Sequence, residues 1–331
     1  MVGAVVVRDG RIAAEGWHAQ FGAPHAEAMA LGIAGEAARG ADVYVTLEPC
    51  NHHGMTPPCA DALIAAGVRR VVVAIADPNR IAAGGIAKLR AAGIVVDVGV
   101  EGARAAELNA PFLFTHVRHD RPFVTLKLAL STDGAMAPSD GSQQWLTGAS
   151  ARRLVHKLRA NADAVMVGIG TAVADDPALT VRHGRRPRVA PRRVVLDRTA
   201  RLLLSSQLVR TARRVPVEVL ASEPGLTRVE ALERAGVKVH SALSLDAHLQ
   251  GLRERAVRHL FVEGGAAVAD ALLGGGFVDR LIIFRAPVLL GAGALRPGTA
   301  VPPPEGSEQW GVVERRQVGD DQMTIYRPTT R

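Results

Sequence analysis

Short apolar runs alternate with segments of helical period along the first third of the chain. Residues 2–7 are an apolar run, Arg8-Asp9-Gly10 reads as a turn, and residues 12–17 return, a pattern that predicts a β-hairpin. Residues 25–38 have helical composition and stop at Gly40, and 59–66 form a second helical stretch closed by Gly67. Between and after them, 43–47, 71–75 and 94–100 read as strands, with a helix around 87–92 closed by Gly93. Strands alternating with helices predict an α/β sheet with helices on its faces.

A helical stretch, 101–115, leads into the polar, Pro-containing segment 116–122, the expected domain boundary. The division is therefore drawn as 1–117 and 121–331. A second series follows: strand 123–130, helix 149–160, strands 164–167 and 193–196, helices 226–235 and 245–256, strand 259–262, a helix from Ala266, and strand 281–284. The stretch 198–221 shows no clear period, and no internal repeat relates the two halves.

Length agrees with two domains, since 331 residues exceed the roughly 150 expected of one. Hydrophobic residues at 48% and charged residues at 22% exclude a disordered or low-complexity chain. No apolar run reaches the about 18 residues needed to span a bilayer, so no membrane association is expected. The N-terminus shows neither a basic leader nor a cleavage pattern, which makes the cytoplasm the expected compartment. Basic residues outnumber acidic ones by 40 to 32, for a net charge of +8, but the charge is spread along the chain and aromatics are only 4%. That combination fits phosphorylated small molecules better than a nucleic-acid surface.

Candidate chemistry begins at Pro24-His25-Ala26-Glu27, which opens a predicted helix. Glu48-Pro49-Cys50 ends a predicted strand and Pro57-Pro58-Cys59 opens the next helix. One imidazole and two thiolates from three element ends suit Zn²⁺, and three protein ligands leave the fourth position to water, as in a catalytic site. Zinc lowers the pKa of that water from about 15.7 towards about 7. Glu27, two residues from His25, is then the proton shuttle for hydrolytic removal of a ring amine. Eight residues separate Cys50 from Cys59, where the general zinc-deaminase signature has two.

These motifs, with Val2-Gly3-Ala4 and Thr46-Leu47 ahead of them and Asn51-His52-His53-Gly54-Met55-Thr56 between the cysteines, resemble the bifunctional deaminase-reductases of riboflavin biosynthesis. The resemblance implies a cytidine-deaminase-like three-layer α/β/α domain followed by a dihydrofolate-reductase-like α/β domain. It also implies zinc on His25, Cys50 and Cys59, with Glu27 as proton donor and His52 as a substrate contact. Three departures stand out. The chain starts at the strand that family members precede with a helix and an Asn-Pro segment. Met55 stands where the family usually has Lys or Arg. The 77–86 loop is shorter, with Ala83-Gly84-Gly85 in place of Gly-Lys-Gly.

In the second half no Gly-x-Gly-x-x-Gly joins a strand to a helix. Val262-Glu263-Gly264-Gly265 does join them, and by itself fits either a phosphate-approaching turn or an ordinary tight one. The same resemblance extends through Thr125 to Gly134, Gln144 to Gly148, Val167 to Thr171, Ala174 to Arg182 and Val262 to Gly265. It implies NADPH as cofactor, contacted by Ala129, Trp145, Thr171, Asp175 and the turn and helix start made of Gly265, Ala266, Ala267, Val268, Ala269, Asp270 and Ala271. Substrate contacts are implied at Arg159, Leu179, Arg182 and Glu263, the two arginines suiting a 5′-phosphate. Lys127 either polarises the open-chain C1′ centre or pairs with a carboxylate such as Asp175. Gln143 and Ala135 depart from the usual Ser and basic residue.

Four readings compete. The first is deamination of a phosphorylated diaminopyrimidine followed by NADPH reduction of its ribosyl group, in a homo-oligomer, a dimer or tetramer. The second keeps the reductase but makes the first domain a zinc-stabilised scaffold with weak or no deamination. The third, a nucleic-acid base deaminase, leaves the second half unexplained. The fourth, a non-catalytic metal-binding module, predicts activity unchanged by Glu27→Ala.

Overall fold

A computed structural model describes residues 2–19, 22–54, 56–139, 145–184 and 187–329, in two compact units, Met1–Arg118 and His119–Arg331. Among the described residues no helix is long and apolar enough to cross a membrane.

The first unit runs β1 (Gly3–Arg8), β2 (Arg11–Trp17), α1 (Ala26–Ala34), β3 (Asp42–Val45), α2 (Cys59–Ala65), β4 (Arg70–Val73), α3 (Gly85–Ala91), β5 (Val95–Val98), α4 (Gly102–Leu108) and α5 (Ala110–Val117). Its sheet has the order β2-β1-β3-β4-β5, with β1 antiparallel to both neighbours and the last three strands parallel. The β1–β2 turn needs positive φ at two successive residues, and Asp9 (51°) and Gly10 (72°) supply it. Val6, Val43, Val71, Leu63 and Leu89 close the core between sheet and helices.

The helix expected over 25–38 tightens into a 3₁₀ turn at Gly35–Ala38. The single helix expected over 101–115 breaks at Asn109. Pro111 sits in the first turn of α5, where its missing N–H costs nothing, but it cannot continue the hydrogen-bond ladder of α4.

The second unit runs β6 (Phe123–Leu130), α6 (Ala149–Ala160), β7 (Ala164–Gly168), α7 (Ile169–Asp175), β8 (Arg192–Leu196), α8 (Gln207–Arg210), β9 (Val217–Ala221), α9 (Leu226–Arg234), β10 (Lys238–Ser241), α10 (Leu245–Glu254), β11 (His259–Glu263), α11 (Ala266–Gly274), β12 (Arg280–Arg285), β13 (Trp310–Val318) and β14 (Asp321–Pro328). They form a sheet of order β10-β9-β8-β7-β11-β6-β12-β14-β13. The strands are parallel from β10 through β12, and β14 and β13 add an antiparallel edge. Core side chains lie on both faces: Val124, Leu126, Leu128 and Leu130 of β6 pack on one, Phe261, Ile282 and Phe284 on the other.

One ion pair is built into this core beside the entry to β6. Arg121 Nη1 and Nη2 donate to Asp279 Oδ2 (2.6 Å) and Oδ1 (2.9 Å), and the backbone N–H of Val124 also donates to Oδ2 (2.9 Å). Both side chains are buried. Asp279→Ala takes the carboxylate from a buried guanidinium that also donates to the Pro122 carbonyl (3.0 Å), and is expected to cost about 3–5 kcal/mol. Equilibrium urea unfolding checks this, and a loss well under 1 kcal/mol would mean the guanidinium finds another partner or water.

Candidate active sites

In the first unit three element ends converge at the carboxyl edge of the parallel strands, the usual place for a site in an open α/β sheet. The strand β2 brings Gly16 against the start of α1: a Cβ there would lie 2.2 Å from the Ala26 carbonyl oxygen. That close approach fixes the helix start, and with it His25. The segment leaving β3 carries Cys50, whose carbonyl accepts from Ala60 N (3.2 Å) in α2, the helix that begins at Cys59.

His25 Nδ1 lies 3.5 Å from Cys50 Sγ and 3.3 Å from Cys59 Sγ, and all three ligand atoms fall within 4.8 Å of one another. A tetrahedral zinc, with Zn–S near 2.3 Å and Zn–N near 2.0–2.1 Å, requires N···S separations of about 3.6 Å. The donor set and its spacing therefore fit Zn²⁺. Cys59 N–H also points to Cys50 Sγ at 3.3 Å. The hydrogen bond between the two thiols holds the Cys50 thiol below its ordinary pKa, and pushes that of Cys59 up.

Glu27 points into the same cluster and is only 3% exposed. Burial raises its carboxyl above the usual range, opposed in part by a hydrogen bond to its own backbone N–H. His52 is half-buried, and its Nδ1 is sequestered from water with no partner among the described residues. Met55 lies outside the described residues.

A carboxylate that the sequence reading passed over organises the rim. Glu48, buried, accepts from the backbone N–H of Asp77 (3.0 Å) on Oε2 and from Gly84 (3.0 Å) and Ile86 (3.0 Å) on Oε1. It ties the 77–86 loop to the cysteine-bearing segment, and Asn51 N donates to Ala82 O (2.9 Å) beside it. Gly85 is obligatory at this junction, because a Cβ would sit 1.8 Å from the Pro49 carbonyl oxygen.

In the second unit a cavity of about 290 Å³ opens at the carboxyl ends of β7 and β11 and beside β6. Lys127, Trp145, Arg159, Thr171, Asp175, Leu179, Arg182 and Glu263 line it together with Val167, Asp176, Pro177, Ala178, Gln207 and Gly264. The structure thus brings together eight residues that the sequence reading named. Ala129 is on the same strand face as Lys127 but outside the lining. Gly265 is the N-cap of α11, with its missing Cβ position 3.0 Å from Thr171 Oγ1. Farther along α11, Val268 and Ala269 are buried in the core, Asp270 accepts from Gly298 N (2.7 Å), and Ala267 and Ala271 are exposed. Gly168 lets α11 come this close, since a Cβ there would meet Val268 Cγ2 at 2.5 Å.

Charges in the cavity are arranged in pairs. Arg159 Nε donates to Glu263 Oε1 and Nη2 donates to Oε2 (2.9 Å), while Nη1 donates to the Thr180 carbonyl (3.1 Å). Burial alone would raise Glu263, but Arg159, Lys127 and His156 outweigh it and hold the carboxyl below its usual value. Burial also pushes the Lys127 ammonium down, resisted mainly by Glu263. The Arg182 guanidinium has no hydrogen bond or ion pair among the described residues. Trp145, 71% exposed, stands at the mouth with the Arg152 guanidinium 5.3 Å from its ring centre. Gln143 lies outside the described residues.

Two family models match. One, the RibD C-terminal domain, matches residues 122–321; the other, the cytidine and deoxycytidylate deaminase zinc-binding region, matches residues 1–75. The chain is 45% identical over 295 residues to the riboflavin biosynthesis protein RibD of Aquifex aeolicus (strain VF5), covering 88% of this chain and 82% of the relative. It is 41% identical over 315 residues to RibD of Escherichia coli (strain K12), covering 88% and 83%. Among solved structures it resembles Acinetobacter baumannii RibD, form 1, with a TM-score of 0.80 and 37% identity over 99% of this chain and 92% of that one. It also resembles a Thermotoga maritima diaminohydroxyphosphoribosylaminopyrimidine deaminase/5-amino-6-(5-phosphoribosylamino)uracil reductase, with a TM-score of 0.79 and 35% identity over 99% and 91%.

Proposed function

The chain belongs to the RibD family, two-activity enzymes of riboflavin biosynthesis, and from that membership we infer the substrate, cofactor and residue roles that follow. Residues 1–117 deaminate 2,5-diamino-6-(5-phosphoribosylamino)pyrimidin-4-one, and residues 121–331 reduce the ribosyl group of the product to a ribityl chain with NADPH. The observation that carries this reading is the coexistence, on one chain, of a zinc-spaced His25, Cys50 and Cys59 triangle around buried Glu27 and a cavity lined by Lys127, Arg159 and Arg182. A reductase with an idle first unit is not favoured, because the matched relatives span both units.

His25, Cys50 and Cys59 would hold zinc, which would supply a water of lowered pKa as nucleophile. Glu27, buried beside them, would take a proton from water on its carboxylate and return it to the departing ring amine, so that C–NH₂ and H₂O become C=O and NH₃. His52 Nδ1, buried without a partner, meets a polar group of the pyrimidine.

NADPH bound in the second unit would supply the hydride. Trp145, Thr171, Asp175 and the backbone of the turn and helix start at Gly265–Ala271, whose Val268 and Ala269 side chains face the core, would hold the cofactor, Ala129 would flank it, and Arg182 would grip the substrate 5′-phosphate beside Leu179. Arg159 is engaged by Glu263 and Thr180 O, so it orients Glu263 and the chain near Arg182. Lys127 Nζ delivers the proton that accompanies hydride addition at C1′. The protein is further read as a cytoplasmic homo-oligomer, a dimer or tetramer, without nucleic-acid or membrane partners.

The test is ammonia release from the diaminopyrimidine by zinc-loaded protein, with NADPH oxidation followed in parallel. Release followed by NADPH loss is expected. NADPH consumption with supplied deaminated intermediate, but no ammonia from the diaminopyrimidine, would overturn the deaminase half.

A further inference from the structure

The segment that carries Arg182 is neither helix nor strand, yet buried side chains grip it at alternate residues. Arg193, buried in β8, donates to the Ala178 carbonyl (3.3 Å). Arg159 Nη1 donates to the Thr180 carbonyl (3.1 Å), and the backbone N–H of Arg182 donates to His156 Nδ1 (3.2 Å). His156 and Arg159 are three apart on α6, so one helical face holds the segment at two points. The backbone before the grip is unusual: Asp176 (φ 38°) and Leu179 (φ 50°) are both left-handed. A segment with two such residues does not hold its course by local preference, and needs outside anchors.

We propose that His156 is a positioning residue of the reductase site: its Nδ1 fixes the backbone of Arg182, and thereby aims the Arg182 side chain at the phosphate of the substrate. The role rests on the reading that Arg182 grips that phosphate. His156 is 6% exposed, inside the wall behind the cavity, and does not itself line it. Accepting on Nδ1 requires the proton to be on Nε2 and the ring to be neutral. Burial, with Arg159, Arg182 and His183 nearby, keeps the imidazole neutral down to about pH 4. The His183 ring packs edge-on against it, 4.8 Å between centres, and limits its rotation.

Two substitutions separate hydrogen bonding from bulk. In His156→Asn the side-chain oxygen takes the place of Nδ1; in His156→Gln the oxygen falls nearer Nε2 and the acceptor for Arg182 N is lost. With deaminated substrate and NADPH, His156→Gln is expected to raise KM for the substrate about fivefold to tenfold, the worth of one buried hydrogen bond. Its kcat and its KM for NADPH should stay near those of the parent. His156→Asn should recover most of the substrate KM. Equal KM values for the parent and the Gln variant, or equal losses in Gln and Asn, would overturn the proposal. Arg182→Met decides the premise separately: an unchanged substrate KM in that variant would remove Arg182 from the phosphate and leave the anchoring bond without this purpose.

Discussion

Glu27→Gln is expected to lower ammonia release by about 10²–10⁴-fold while NADPH oxidation on supplied deaminated intermediate continues at the parent rate. The substitution changes almost no volume, which matters because Glu27 is buried in the first turn of α1. An amide cannot take a proton from water and hand it to a leaving amine, so the loss falls on chemistry and not on binding. Zinc content should stay at one per chain, because the three ligands are elsewhere. Metal analysis of the purified variant therefore belongs in the same experiment. The chain divides into two compact units, and with one activity assigned to each, as proposed, only the first should respond. If a folded, zinc-replete Glu27→Gln protein lost both, the assignment of one reaction to each unit would be wrong.

The zinc triangle was legible because its chemistry is concentrated in a few uncommon side chains. The chain has two cysteines, and both stand beside prolines at element ends, so their residue types and order carry the site before any packing is known. Glu48 was not legible in the same way. A glutamate beside a cysteine motif reads as one more polar residue, and only the fold shows its two oxygens collecting three backbone N–H groups from a loop 29 to 38 residues away. Strands buried on one or both faces, such as β6, announced themselves by continuous apolar runs. β13 did not, because it is an edge strand with most of its residues exposed, and Glu314, Arg315 and Arg316 interrupt any alternation. β9 was masked by Glu218, a charged residue inside a fully buried strand that is tolerated because Arg192 (3.2 Å) and Arg255 (3.1 Å) reach it. The cavity residues were named largely through family resemblance. Arg193 and His156, which hold the cavity's wall from behind, offered no signal in composition or spacing.

Lys127→Met should reduce the rate of NADPH oxidation with deaminated substrate by about 10²–10⁴-fold and leave ammonia release untouched. Methionine keeps the length and removes the charge, and the Arg159–Glu263 pair remains intact beside it. The pH dependence follows from the direction of the Lys127 shift. Burial disfavours its charged form, so its pKa lies below the ordinary lysine range. A proton donor must be charged to act: kcat should hold at low pH and fall as pH rises through that depressed pKa. The residual activity of Lys127→Met should lack this alkaline limb. Lys127→Arg then decides between two roles for the ammonium. Arginine supplies the charge but does not give up its proton near neutrality. Recovery of the rate in Lys127→Arg would make the contribution electrostatic polarisation at C1′; continued loss in a folded variant would leave proton delivery as the role of this side chain.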